Sequence, residues 1–290
     1  MRYRDRQGNE YKITTKQDRL LSDAYDSYMG RSLLQILSLP AFSKCSRKVL
    51  SSKLSGGFIT QFAENNNIDM FDYEEKQYST FNEFFTRKIK PGRRHFDPDE
   101  RVLVSPSDGK VSAYKITPSN TFVIKNSVYN VDSLLRDNKL ARKYADGYAL
   151  VIRLSVEDYH RYIYPVSGLK SHDRDIDGFL NTVNPVANRH VEVYKENSRT
   201  YCMLRTEHFG DLIQMEVGAL LVGRISNHHP EGNIRVKQGE EKGCFEFGGS
   251  TIVLLLEKDK AAVDEDLLKN TAEGCETIVR QGEHLAKAAQ

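Results

Sequence analysis

The hydrophobic pattern of this 290-residue chain predicts an α+β fold: a helical N-terminal region on a mainly antiparallel β core. Two observations carry that prediction. From about residue 16 to 95 apolar residues recur at helical spacing, whereas after Pro91-Gly92-Arg93-Arg94 the chain turns to short β-prone runs divided by turn signals. The expected division is therefore a helical region over 1–95 and a β-rich core over 96–290.

In the first region Leu33, Leu34, Ile36, Leu37 and Leu39 cluster before Pro40, and Lys44, Arg47, Lys48 and Lys53 follow. An amphipathic helix of this kind, with Phe42 on its apolar side, suits an anionic membrane surface. It equally suits packing on a core with a solvated basic face. In the second region the expected strands are Val102 to Val104, Val111 to Tyr114, Thr121 to Ile124, Tyr148 to Leu154, Leu212 to Val217 and Ile252 to Leu256. Ser107-Asp108-Gly109, Asp146-Gly147, Ser167-Gly168 and Asp177-Gly178 supply the turns. The tail from about 262 to 288 reads as helical.

Composition excludes several classes. A net charge of +2 from 42 basic and 40 acidic residues argues against a general nucleic-acid binder. Cys45, Cys202, Cys244 and Cys275 are widely spaced, so neither a zinc site nor a disulfide framework is indicated, and a reducing compartment is the default. No apolar run has the length of a signal peptide or a bilayer span, so export by a signal peptide and a transmembrane segment are not expected. None of the eight histidines has the context of a metal site, and no glycine-rich nucleotide cradle follows a strand, so no metal is expected.

Three segments can carry chemistry. Phe247-Gly248-Gly249-Ser250-Thr251 runs straight into Ile252-Val253-Leu254-Leu255-Leu256. Two glycines leave the Gly249 carbonyl unshielded and tolerate a strained turn, which gives the Ser250 hydroxyl access to its own preceding carbonyl. Taken alone, Gly-Gly before a strand is more often only a turn. Ser105-Pro106-Ser107-Asp108-Gly109-Lys110 has the composition of a hairpin turn. Val156-Glu157-Asp158-Tyr159-His160-Arg161-Tyr162 gathers a carboxylate, a phenol, an imidazole and a guanidinium at a strand exit, although a lone histidine is usually structural.

In order along the chain, these segments resemble the phosphatidylserine decarboxylase family. The resemblance is carried by Phe81-Asn82-Glu83-Phe84-Phe85-Thr86-Arg87, Ser105 to Gly109, Asp158-Tyr159-His160-Arg161 with Pro165-Val166-Ser167-Gly168, and Val183-Asn184-Pro185. Glu216-Val217-Gly218-Ala219 and Lys242 to Thr251 complete it. It implies self-cleavage between Gly249 and Ser250, with Ser250 becoming a pyruvoyl group that replaces pyridoxal phosphate as electron sink. It also implies an Asp-His-Ser relay, for which Asp108 and His160 are the positions beside Ser250. Arg161 and Lys242 become candidate neighbours of a substrate phosphate.

The resemblance further implies phosphatidylserine as substrate, phosphatidylethanolamine and CO2 as products, and association of the two cleavage fragments. A homodimer, and peripheral attachment to an anionic membrane surface at the cytoplasmic face, belong to the same expectation. One position departs from the family pattern: where a second histidine follows Asp-Tyr-His-Arg, this chain has Ile163, which can neither accept nor donate a proton. Two other readings therefore stand beside the first, a non-cleaving lipid-binding homologue and a pyruvoyl decarboxylase of another amine.

Overall fold

Seven consecutive buried residues, Ser250 to Leu256, form the strand around which the fold is built. The computed structural model describes residues 2–12, 23–38, 42, 46, 48–124, 127–182, 193–219, 224–248 and 250–289. Leu39, Pro40, Lys44, Arg47, Cys45, Val183-Asn184-Pro185 and Gly249, all named above, lie outside the described residues.

In chain order the strands begin with β1 (Arg2–Arg4), β2 (Glu10–Lys12), β3 (Val102–Val104), β4 (Gly109–Lys115), β5 (Thr121–Ile124) and β6 (Ser127–Asn130). There follow β7 (Tyr148–Leu154), β8 (Arg161–Ile163), β9 (Gly168–Lys170), β10 (Arg174–Ile176), β11 (Arg199–Arg205) and β12 (Asp211–Val217). The last are β13 (Ile225–Asn227), β14 (Ile234–Val236), β15 (Glu241–Phe245), β16 (Ser250–Leu256), β17 (Ala261–Val263), β18 (Glu276–Val279) and β19 (His284–Ala288). Eleven of them make one sheet in the order β14-β9-β11-β12-β16-β7-β4-β18-β1-β2, with β10 also on β11. Two three-stranded sheets, β13-β15-β8 and β17-β19-β3, flank it. Within the large sheet every pairing is antiparallel except β1 with β18.

Strand β16 pairs over its length with β7 and β12, and its side chains alternate between two cores. Val253 and Leu255 join Ile213, Met215 and Val217 on one face; Ile252, Leu254 and Leu256 join Leu150, Ile152, Leu154 and Leu212 on the other. Burial on both faces is why the segment reads as an unbroken apolar run. By the same alternation Ser250 faces the core of Ile252 and Leu154.

The N-terminal region holds α1 (Tyr28–Leu37), α2 (Ile59–Asn65) and α3 (Phe81–Phe85). Helix α3 starts at a capping box: Thr80 Oγ1 accepts from Glu83 N at 3.2 Å and Glu83 Oε2 accepts from Ser79 N at 2.9 Å. The box aims Phe81, Phe84 and Phe85 into the interior, where all three are buried.

Three expectations are corrected. The tail is not one helix: only α4 (Glu265–Ala272) forms, and β18 and β19 follow. Gly274 at φ 72° and Gly282 at φ 90° break the helical path, and the β-branched pair Thr277-Ile278 with Val279 pairs on β4. The Asp108-Gly109 turn is not a hairpin, since β3 pairs with β19 and β4 with β7 and β18. It is a crossover between two sheets. Residues 2–12 form the β1–β2 hairpin, and β11 carries a central strand through Arg199 and Thr200 that apolar periodicity did not signal.

Candidate active site

Two pairs of consecutive strands cross-pair at one corner. β7 leads into β8, β15 leads into β16, and β8 pairs with β15 while β7 pairs with β16. The connection 155–160 and residues 246–248 therefore meet at the same corner. Ser250 opens β16 opposite Leu154, and His160 lies just before β8, its carbonyl accepting from Phe245 N at 2.9 Å. The topology thus brings the segments that carry His160 and Ser250 to one corner from positions ninety residues apart in the chain.

The 155–160 connection is shaped by charge. Asp158 accepts from Ser155 N at 2.6 Å and from Lys110 Nζ at 2.7 Å, and Lys110 also reaches Glu157 at 3.0 Å. Arg87, buried over the rings of Tyr73 and Phe84, donates to the Glu157 carbonyl at 3.2 Å. The carboxylates that stand beside His160 in the sequence thus fix the loop, while it is the Asp158 backbone carbonyl that meets the imidazole.

His160 is fully buried, with its ring centroid 4.1 Å from that of Phe85. Its Nδ1 lies 2.9 Å from the Asp158 carbonyl, which can only accept, so Nδ1 carries the hydrogen and Nε2 is the free lone pair. Burial, followed by the nearby Arg87 cation, lowers the imidazole to about 3, which keeps it neutral at pH 7. Its Nε2 and the buried Ser250 Oγ have no hydrogen-bond partner among the described residues. Two residues before Ser250, Gly248 has φ 135°, a backbone that L side chains rarely adopt.

Asp108 does not touch His160. Its carboxylate accepts from Arg94 at 3.2 and 2.7 Å and from Gln281 N at 2.8 Å. Gln281 then bridges onward, donating its side-chain amide to the Pro106 carbonyl at 3.2 Å and the Arg161 carbonyl at 3.0 Å. Asp108 is therefore one link removed from the backbone next to His160. Gln281 was missed in the sequence, where a lone glutamine in a tail read as helical gives no signal. Ile163 is buried against Val102 and Val104.

The candidate phosphate neighbours are already engaged. Arg161 donates to Glu241 at 2.7 Å and to the Thr86 carbonyl at 2.8 Å. Lys242 is fully buried and ion-paired with the equally buried Glu216. Glu216 stands opposite Ile252, on the face of the sheet that also carries Ser250.

A buried serine at the head of a central strand, without a hydrogen-bond partner among the described residues, and a buried neutral imidazole on the adjoining connection make this corner the candidate active site. The family model described as phosphatidylserine decarboxylase matches residues 81–287. The chain is 44% identical over 265 residues to phosphatidylserine decarboxylase proenzyme 2 of Clostridium acetobutylicum, covering 91% of this chain and 90% of the relative. It is 40% identical over 270 residues to the phosphatidylserine decarboxylase proenzyme of Ruminiclostridium cellulolyticum, again covering 91% and 90%. Against the proenzyme of Fusobacterium nucleatum it is 41% identical over 229 residues, covering 78% and 76%. The chain belongs to the phosphatidylserine decarboxylase family and is an enzyme of the carboxy-lyase class.

Proposed function

We propose that this enzyme cuts itself between Gly249 and Ser250 and then, as a pyruvoyl enzyme, converts phosphatidylserine to phosphatidylethanolamine and CO2 at a membrane surface. The observation that carries the reading is Ser250: a fully buried hydroxyl without a partner among the described residues, opening a central strand two residues after a glycine at φ 135°. An orphaned buried hydroxyl costs stability unless the site uses it. The relatives' name, proenzyme, fits a precursor that is cut.

In this reading the Ser250 oxygen attacks the Gly249 carbonyl carbon, the peptide C–N bond breaks, and the Ser250 nitrogen gains a proton. The resulting ester is then eliminated from the side chain of residue 250, and water releases ammonia. A ketone at residue 250 supplies an electron sink for loss of the substrate carboxylate. The residues around Ser250 fit such a group, since the corner is closed to solvent and holds a neutral imidazole with a free Nε2. His160 would accept or return a proton at Nε2, with Nδ1 held by the Asp158 carbonyl. Asp108 would orient it indirectly, through Gln281 and the Arg161 backbone.

The cut would not release the C-terminal fragment. Strands β16 to β19 all belong to residues 250–290, and β16 sits between β7 and β12, so the two fragments stay interleaved by sheet hydrogen bonds. For residues 1–95 we assign docking on an anionic cytoplasmic membrane face, with pairing of two copies as the family resemblance implies. Tyr28, Met29, Leu33 and Ile36 on α1 are exposed, as are Val49, Leu54 and Phe58, with Lys48 and Lys53 nearby in the chain. Among the described residues no helix is long and apolar enough to cross a membrane.

Intact mass of the denatured protein tests the reading. Fragments 1–249 and 250–290, the second lacking its terminal nitrogen, are the expected result. A single uncut chain would instead favour the non-cleaving homologue, for which the apolar packing of Ile163 in place of an imidazole is the supporting observation.

A further inference from the structure

The face of the sheet that carries Ser250 holds a second orphaned polar atom. Glu216 is fully buried on β12, its Oε2 is given to Lys242, and its Oε1 has no hydrogen-bond partner among the described residues. In the β12–β16 register Glu216 stands opposite Ile252, so Ser250 is its diagonal neighbour on the same face. Diagonal neighbours in an antiparallel pair lie roughly 7–8 Å apart, within reach of a long side chain. Ile163, at the position of the family's second histidine, packs on Val102 and Val104 and offers no base.

We infer that Glu216 is the general base for self-cleavage, taking the Ser250 hydroxyl proton at Oε1 while Lys242 holds Oε2. The proton balance closes within the site: Oε1 removes the proton as Oγ bonds to the preceding carbonyl carbon, and returns it to the Ser250 nitrogen as the C–N bond breaks. No co-reactant is needed for this step. This assignment rests on the self-cleavage reading above.

The surroundings suit a carboxylate that exchanges a proton near neutrality. Lys242 of β15 faces Glu216, and Asp173 after β9, Cys202 of β11, Asn227 of β13, Tyr162 of β8 and Tyr164 just after that strand border it. Asn227 gives its amide to Asp173 at 2.7 Å, stands within hydrogen-bonding reach of the Glu216 carboxyl, and accepts from Tyr162 at 2.8 Å, while Asp173 pairs with Lys170 at 2.8 Å. Burial pushes the Glu216 carboxyl up to about 7 against the pull of Lys242. His160, lowered to about 3, is by contrast a far weaker base, which leaves its Nε2 for the elimination and later steps at residue 250 rather than for the cut itself.

The test follows maturation of freshly translated full-length chain by intact mass between pH 5.5 and 8.5. With Glu216 as base, the wild-type rate falls about tenfold per pH unit below an inflection near 7. Glu216→Gln lowers the rate at pH 7.5 by about 100-fold and removes the inflection. Lys242→Met, by taking away the neighbouring cation, moves the inflection to higher pH. Where Glu216→Gln alone fails to fold, the double variant Glu216→Gln/Lys242→Met removes both charges of the buried pair and serves in its place. A folded single or double variant that matures at the wild-type rate with the wild-type pH profile overturns the assignment. Wild-type chain that never yields fragments overturns the parent reading instead, a result distinct from any outcome in the variants.

Discussion

The Phe85 ring packs on the His160 imidazole, centroids 4.1 Å apart, and links it to the chain that leads into Ser250 through Phe247, whose ring lies 5.1 Å from Phe85. One aromatic side chain on a five-residue helix therefore sets both the dryness and the position of the imidazole. Phe85→Ala should cost about 3–5 kcal/mol in urea unfolding, because the vacated space is lined by rings that cannot collapse into it. It should also raise the His160 titration from about 3 toward its ordinary value as water enters, read by NMR of the imidazole protons. An unchanged titration would sink this account of His160.

The pH dependence of stability follows from two fully buried groups of opposite sign. His160 titrates at about 3 when folded and 6.5 when free, so between those values the unfolded chain binds the extra proton and stability falls as pH drops, by about 1.4 kcal/mol per unit. Glu216 is raised from 4.5 to about 7, so its contribution is present at low pH and is lost as pH rises through that window. The two slopes oppose each other between pH 4.5 and 6.5. Glu216→Gln should therefore unmask acid destabilisation from pH 6.5 downward, and His160→Gln should lessen the loss below 4.5. Urea midpoints at half-unit pH steps check both.

Gly248 has φ 135°, and the buried strand β16 starts two positions later at Ser250. Gly248→Ala should destabilise the precursor by about 1–3 kcal/mol and slow maturation, because the turn must relax toward a backbone an alanine accepts. Thermal melts and the rate of fragment formation measure the two effects. A variant as stable and as fast as wild type would show that the conformation is incidental.

Gln281 joins Asp108 to the Arg161 carbonyl at 2.8 and 3.0 Å. Gln281→Leu keeps the backbone bond to Asp108 but removes the side-chain donor to the Arg161 carbonyl and one of the two donors to the Pro106 carbonyl, which keeps Ile163 N, a loss of about 1–3 kcal/mol. Maturation should slow if Asp108 acts through this bridge. Ser250→Ala in the same assay fixes the uncut reference.

Docking through α1 predicts that Met29→Asp with Leu33→Asp abolishes flotation with vesicles rich in anionic lipid. Both side chains are exposed, so the fold and its melting temperature should stay within about 0.5 kcal/mol of wild type. Flotation that survives both changes places the docking surface elsewhere.

Sequence by itself determined the class of fold, most of the central strands and the strand-end placement of Ser250 and His160, since alternation, unbroken apolar runs and glycine turns are local signals. The run from Ile252 to Leu256 reads as a buried strand whatever it pairs with, and it is one. Only the tertiary structure decided that Asp108 belongs to Arg94 and Gln281, that Asp158 serves Lys110, and that Glu216 shares a face with Ser250. Those pairings are set by strand register and sheet order, and no spacing along the chain encodes which of forty acidic residues will lose its water to a neighbouring lysine. The same reason separates tail from core: β18 and β19 are strands because β4 and β3 present edges for them to pair with.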